Sequence, residues 1–231
     1  EESAFEDMHG LTGTLVIPDG ITRIEESGFD DCREITGLTL GSGLLTIGAQ
    51  AFRFMRELTS VTIPDNVTSI GDKAFHYCDS MTSVTLGSGL TSTGHSAFMS
   101  CSSLTSVTIP SSVTSIDYNT FYSCSSLTSV TIPSSVTSIG RNAFFNCSSL
   151  NSVTIPSSVT SIGAYAFGSC SALTSITIPS SVTDFSDGYQ FNNCTALSTV
   201  TCHLTESFFN STNALAGSSV TAVTVDSGKG W

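Results

Sequence analysis

The chain has 231 residues, carries 7 Lys and Arg against 19 Asp and Glu for a formal net charge of −12, and sets 42 Ser and 32 Thr beside a hydrophobic share of only 39%. Seven positive charges cannot neutralise a run of phosphates, which argues against a nucleic-acid partner, and no stretch approaches the ~18 consecutive apolar residues of a membrane span. With 14 Phe the chain is also too apolar for a disordered Ser/Thr stalk.

Internal periodicity organises everything else. Ser3-Ala4-Phe5 matches an Ala-Phe step that recurs down the chain, so the sequence opens inside a broken unit over residues 1–11. Such an opening is expected of an excised fragment or a processed product, so the lack of a signal peptide says nothing about location. Seven units of 23 residues run from Thr12 to Ala172, and one of 24 from Leu173 to Ala196. A degenerate ninth runs from Leu197 to Ser219, and a half unit with Val220, Val223 and Val225 follows, so 197–231 closes the repeat region. Phe29, Phe52, Phe75, Phe98, Phe121, Phe144, Phe167 and Phe191 mark one column. Cys32, Cys78, Cys101, Cys124, Cys147, Cys170 and Cys194 mark another, with Met55 in the one vacant slot. All six prolines share a third column, where Gly41 and Gly87 substitute.

Residues 127–149 serve as the reference unit. Leu127-x-x-Val130-x-Ile132 has the β-branched alternation of a short strand, and Pro133-Ser134-Ser135 is a turn signal that ends it. Proline has no N–H for a ladder and belongs just outside the paired strand. Val136-x-x-Ile139 reads as a second short extended piece. Ala143, Phe144 and Cys147 then point inward at spacings of one and three, which predicts one helical turn. No unit can bury this face alone, whereas stacked units can, so residues 1–231 are expected to form a single solenoid domain. At about 4.8 Å per coil, nine coils make a body on the order of 45 Å long.

The recurring string L-x-x-V-x-I-P-x-x-V-x-x-I-G-x-x-A-F-x-x-C, over roughly residues 12–196, resembles the BspA-like leucine-rich repeats. The resemblance implies a leucine-rich repeat solenoid, a right-handed β-rich superhelix of short parallel strands. It also implies surface or secreted proteins of bacteria and some protists, associated with adhesion to host matrix proteins and to other microbes. The sequence departs from the pattern at Met55, at Thr120 (for Ala), at an inserted residue near Gly188 and in the weak ninth unit.

Comparing units with one another separates fixed columns from variable ones. Strand positions such as Ser83 and Thr85, or Ser106 and Thr108, form a uniform hydroxyl ladder. A surface identical at every step carries little information for a unique partner, and Thr β-propensity with solubility accounts for it plainly. An ordered-water or ice-binding role would need a flat array, whereas a curved solenoid supplies none. The variable positions flank the Ala-Phe step. Three residues before Phe stand Asp72, His95, Tyr118, Arg141 and Ala164; directly after Phe stand Arg53, His76, Met99, Tyr122, Phe145 and Gly168. Both positions are expected to be exposed, which would align His76, Met99, Tyr122 and Phe145 as a stripe about 15 Å long. Aromatics, Met and Arg are enriched at protein interfaces, so His76, Met99, Tyr122, Phe145, His95, Tyr118 and Arg141 are the partner-binding candidates.

The Cys column reads as buried, reduced packing: adjacent thiols are close enough for a bond by Cα distance, but side chains in a ladder point the same way and each has two equal neighbours. No C-x-x-C pair exists, so no metal is expected, and no cofactor either. Asp72, His95 and Ser96 could be drawn as a catalytic set, but a convex face offers neither held geometry nor an oxyanion site. His9 and His203 suggest no ligand set. Sequons at Asn66, Asn146, Asn193 and Asn210 matter only in a eukaryotic secretory route. Ten of the 19 acids lie in residues 1–34, whereas 104–180 hold only Asp117 and Arg141 as charges. The sequence therefore points to a non-enzymatic, monomeric module at a cell surface or outside the cell. It would bind an extracellular protein or glycoprotein without inserting in a membrane. The competing reading is a spacer with no partner of its own.

Overall fold

A computed structural model describes residues 7–8, 10–185, 187–202 and 213–225. Ser3-Ala4-Phe5, His9, His203 and Asn210 lie outside this set. One face of every coil carries a strand: β1 (Gly13–Ile17), β3 (Ile35–Leu40), β5 (Ser60–Thr62), β7 (Ser83–Thr85), β9 (Ser106–Thr108), β11 (Ser129–Thr131), β13 (Ser152–Val153), β15 (Ser175–Ile178), β16 (Thr199–Cys202) and β17 (Ala222–Val225). A second face carries two-residue strands: β2 (Arg23–Ile24), β4 (Thr46–Ile47), β6 (Ser69–Ile70), β8 (Ser92–Thr93), β10 (Ser115–Ile116), β12 (Ser138–Ile139) and β14 (Ser161–Ile162). All pairings are parallel, and the register equals the repeat: Ser60 faces Ser83, Ser106 faces Ser129, and Ile116 faces Ile139. Across the inserted residue the step becomes Ser175 to Thr199, so the extra residue is absorbed between strands without breaking the ladder.

The turn between the two faces is built alike in the eight coils where it is described. The Pro carbonyl accepts the N–H three residues on, as in Val113 to Pro110 at 3.1 Å and Val136 to Pro133 at 3.1 Å. Gly41 and Gly87 make the same bond from Leu44 and Leu90. A Cβ at either glycine would collide with the Pro18 or Pro64 main chain of the preceding coil. The following Ser42 and Ser88 are held instead by a carboxylate, each donating its N–H (2.7 Å) and hydroxyl (3.0 Å) to Asp19 or Asp65.

The third face, around the Ala-Phe step, differs from the expected helical turn: no helix forms among the described residues. The residues two before and two after each Phe have positive φ, for example Lys73 (56°) and Tyr77 (60°), or Asn142 (54°) and Asn146 (59°). These left-handed residues turn alternate N–H groups toward the next coil. Phe52 donates to Ala74 at 2.9 Å, Phe75 to Ala97 at 2.8 Å and Phe144 to Ala166 at 2.8 Å, where a helix would donate within the segment. The inward direction of Ala143, Phe144 and Cys147 read from the spacing is retained, since all three are buried.

One core runs through the described coils. Its axis is a stack of eight Phe rings, from Phe29 to Phe191, with successive centroids 5.3–5.8 Å apart. Six of the seven steps lie within 9° of parallel. Removing one ring would leave a cavity bounded by two others that cannot approach, because backbone ladders set their spacing. Phe98→Ala is therefore expected to cost about 3–5 kcal/mol, and Phe98→Leu, which fills part of the space but gives up both ring stacks, less than that, measured by urea unfolding.

Candidate functional site

The structure separates the expected stripe into two clusters, and the column directly after Phe is half-buried rather than exposed: His76, Met99, Tyr122 and Phe145 are all partly covered. His76 is covered by the left-handed Tyr77 that follows it, whereas Tyr122 and Phe145 cover one another across coils. In the first cluster His76 stacks on Tyr77 (centroids 4.2 Å) and against Phe54 (6.1 Å), while Phe54 and Tyr77 stack at 5.1 Å. The Arg53 and Arg56 guanidinium groups lie 5.0 and 5.6 Å from the centre of the Phe54 ring. Both arginines are also tied to carboxylates, Arg53 to buried Asp30 and Arg56 to Asp79 at 3.4 Å.

In the second cluster Tyr122 and Phe145 stack at 5.1 Å, Tyr165 meets Phe145 edge-on at 6.3 Å, and Tyr189 stacks on Tyr165 at 5.1 Å. Met99 lies between the clusters in the chain's coil order. Phe54, Tyr77, Tyr165 and Tyr189 were not among the sequence candidates. They occupy the positive-φ positions, and a search for aromatics at two residues either side of the Phe column would have found them.

The column three before Phe gives a separate group. His95 stacks on Tyr118 (4.4 Å), and its Nδ1 lies 2.9 Å from the Asp117 carboxylate. Tyr118 is 52% exposed, and Arg141 is exposed in the next coil. The drawn catalytic set does not assemble: the Asp72 carboxylate accepts the His95 backbone N–H (2.8 Å), and the His95 ring faces Asp117. Ser96 is buried, and its hydroxyl accepts from the Asn119 amide at 3.5 Å. Of the sequons, Asn66 donates to the Ser42 carbonyl (2.8 Å) and Asn146 to the Ser123 hydroxyl (3.1 Å), so both amides join neighbouring coils. An apolar groove at the N-terminal end is lined by Leu15, Ile17, Ile21 and Ile24 of the core columns and by Val16, which stands exposed in the outward strand column.

All eight cysteines are buried. The six thiols from Cys78 to Cys194 each donate to the Phe carbonyl of the preceding coil, as Cys101 to Phe75, Cys124 to Phe98 and Cys147 to Phe121, these three at 3.2 Å. Burial pushes the Cys101, Cys124, Cys147 and Cys170 thiols well up and Cys194 to about 12. A thiolate is the reactive form, so native protein at pH 8 is expected to leave these thiols unmodified by a disulfide reagent until urea unfolds it; fast native labelling of Cys124 would contradict the packing.

His76 is displaced in the opposite sense, toward its neutral form. Both ring nitrogens are buried without a hydrogen-bond partner. Burial, then the positive charges of Lys73 and Arg53, hold its pKa at about 4, with Asp30 opposing. A depressed folded-state value means that the unfolded chain binds the extra proton between about pH 6.5 and 4. His76 then contributes stability that is complete above pH 6.5 and falls as the pH drops toward 4. His76→Phe keeps the stacked shape without the titrating nitrogens, and should flatten the slope of unfolding free energy over that interval.

Against this geometry, the chain matches the family described as BspA type leucine rich repeat region, in six copies, over residues 1–128 and 114–228. Among solved structures it is similar to a leucine-rich repeat protein of T. pallidum, at 28% identity and TM-score 0.66, covering 69% of this chain and 77% of that one. It is also similar to a leucine-rich repeat protein of Bacteroides ovatus, at 24% identity and TM-score 0.75, covering 99% of this chain and 67% of that one. Comparison with curated protein sequences gives no match. Among the described residues no helix is long and apolar enough to cross a membrane, and no group of three or more His, Cys, Asp or Glu could hold a metal ion.

Proposed function

Because the chain belongs to the BspA-type leucine-rich repeat family, whose solenoids are generally non-enzymatic scaffolds suited to protein–protein interaction, we propose that it is an extracellular, monomeric recognition module. Its partner is a protein or glycoprotein held by the turn face. The observation that carries this reading is the placement of variation. Core and strand columns repeat nearly unchanged, while His76, Met99, Tyr122 and Phe145, with His95, Tyr118 and Arg141, differ from coil to coil on one face. Bulky side chains at Phe54, Tyr77, Tyr165 and Tyr189 enlarge that face at positive-φ positions, where Asn or Gly would be the easier choice. Aromatic anchors ringed by polar residues are how interfaces concentrate binding energy. A surface or secreted location follows from the same reading.

The near-identity of the middle coils favours one alternative, a spacer that holds another domain away from a cell. The two separate by experiment. The immobilised chain is exposed to solubilised matrix and mucus proteins, captured proteins are identified, and each is purified and titrated against the wild type and a His76→Ser/Tyr122→Ser/Phe145→Ser variant. A saturable partner whose affinity falls at least about tenfold in the variant is expected. Equal affinity for the variant, or no saturable partner, would overturn the recognition reading in favour of the spacer.

A further inference from the structure

Four coils, where the turn face meets the second strand face, line a groove of about 470 Å³ that the aromatic clusters do not use. Tyr118 forms one wall, Arg141 and Asp187 project beside it, and Gly140, Gly163 and Ala164 leave the floor low. The concavity comes from the variable column itself, which drops from Tyr118 and Arg141 to Ala164. Taking successive coils as about 4.8 Å apart, the distance from the Tyr118 coil to the Asp187 coil is about 14 Å.

The chemistry of this groove is specific. One face of Tyr118 is covered by the His95 ring at 4.4 Å, and Asp117 fixes that ring through Nδ1. The other face looks along the solenoid toward the Arg141 coil, so a rigid, half-exposed aromatic platform closes one end. The main chain of the floor is partly paired within the solenoid. Gly140 and Gly163 donate to Ile116 and Ile139, and the Arg141 and Ala164 carbonyls accept from Asn119 and Asn142. The Arg141 and Ala164 N–H groups have no main-chain acceptor among the described residues, and beside them the groove offers the fork of Arg141, the Asp187 carboxylate, and the Ser138 and Ser161 residues at the edge. Arg141 has no ion-pair partner among the described residues. One cation and one anion flank the groove in a stretch otherwise almost free of charge, so a polyanion gains nothing there, while a neutral ligand rich in hydroxyls can both donate and accept.

We infer that this groove binds a neutral oligosaccharide of two or three pyranose rings, one ring lying on Tyr118 and the next hydroxyls held between Arg141 and Asp187. The inference rests on the turn face being a recognition surface and names the ligand class of one part of it. A ring's C–H face packs on an aromatic plane while its rim presents hydroxyls in two directions, matching an aromatic wall with a donor and an acceptor beside it.

The test is calorimetric titration of the whole chain with neutral trisaccharides of glucose, mannose, galactose, xylose and N-acetylglucosamine, supported by saturation-transfer NMR. At least one is expected to bind saturably. Tyr118→Ala and Arg141→Ala, both at exposed positions that leave the core intact, should each weaken it about tenfold or more. Tyr122→Ser/Phe145→Ser should leave sugar affinity within ~2-fold. Absence of saturable binding to all five sugars, or full binding by Tyr118→Ala, overturns the inference. If a protein partner is still captured and lost in the His76/Tyr122/Phe145 variant, the recognition reading stands while the sugar site falls.

Discussion

Every coil depends on its neighbours for partners to its backbone polar groups, and this one requirement fixes the rest of the molecule. On two faces the N–H groups point to strands of adjacent coils, and on the third the left-handed residues turn Phe-column N–H groups toward the coil ahead. Three ladders at a common spacing translate each coil onto the next with almost no freedom to slide. An inward side chain is then stacked on its own equivalent, so the core can only be a set of identical columns. A shape that packs well against a copy of itself at that spacing is favoured, and a flat ring tilted into an offset stack meets the condition. The thiol column answers a second demand, donating to the Phe carbonyls of the preceding coil from inside an apolar core.

The same requirement explains the composition. Thr59, Thr82, Thr105 and Thr128 each donate a hydroxyl to a carbonyl of the preceding coil, as do Ser125, Ser148 and Ser171 in a second column. Ser112, Ser135, Ser158 and Ser181 form a third. Short hydroxylated side chains satisfy carbonyls at turns where the strands end, and so extend coil-to-coil bonding past the sheets. The abundance of Ser and Thr is thus largely a property of the frame, beyond β-propensity or solubility.

This division decides what the sequence could disclose. Columns occupied by one residue type, such as Phe, Cys and Pro, announce period, register and burial, and the strands and turns followed from them. The turn face did not, because its conformation is imposed by bonds to other coils. Gln50, Phe54, Lys73 and Tyr165 all adopt positive φ although their residue types do not favour it. The spacing of Ala143, Phe144 and Cys147 suits a helical turn equally well, and only pairing with the coil ahead selects the other path. The recognition candidates were affected in the same way. The column after Phe was legible as variable, but its partial burial, and the company of Tyr77 beside His76 or Tyr165 beside Phe145, depends on that path.

Variation on such a frame has a physical meaning that variation in an ordinary fold lacks. A core column tolerates little change, since an altered side chain meets unaltered ones above and below; Met55 and Thr120 are accommodated only as a similar apolar filler and as a hydroxyl bonded to the Asp117 carbonyl. The turn face carries no such demand, and its columns move from charge to ring to Ala within a few coils. Rings placed there at left-handed positions strain the backbone more than Asn119 or Asn142 do in the same column. Stacking between Tyr165 and Tyr189 offsets part of that strain but does not require it, because Asn142 and Asn119 also bond to each other in that column. The frame is complete without the aromatics, so coil-to-coil bonding alone does not require rings at those positions.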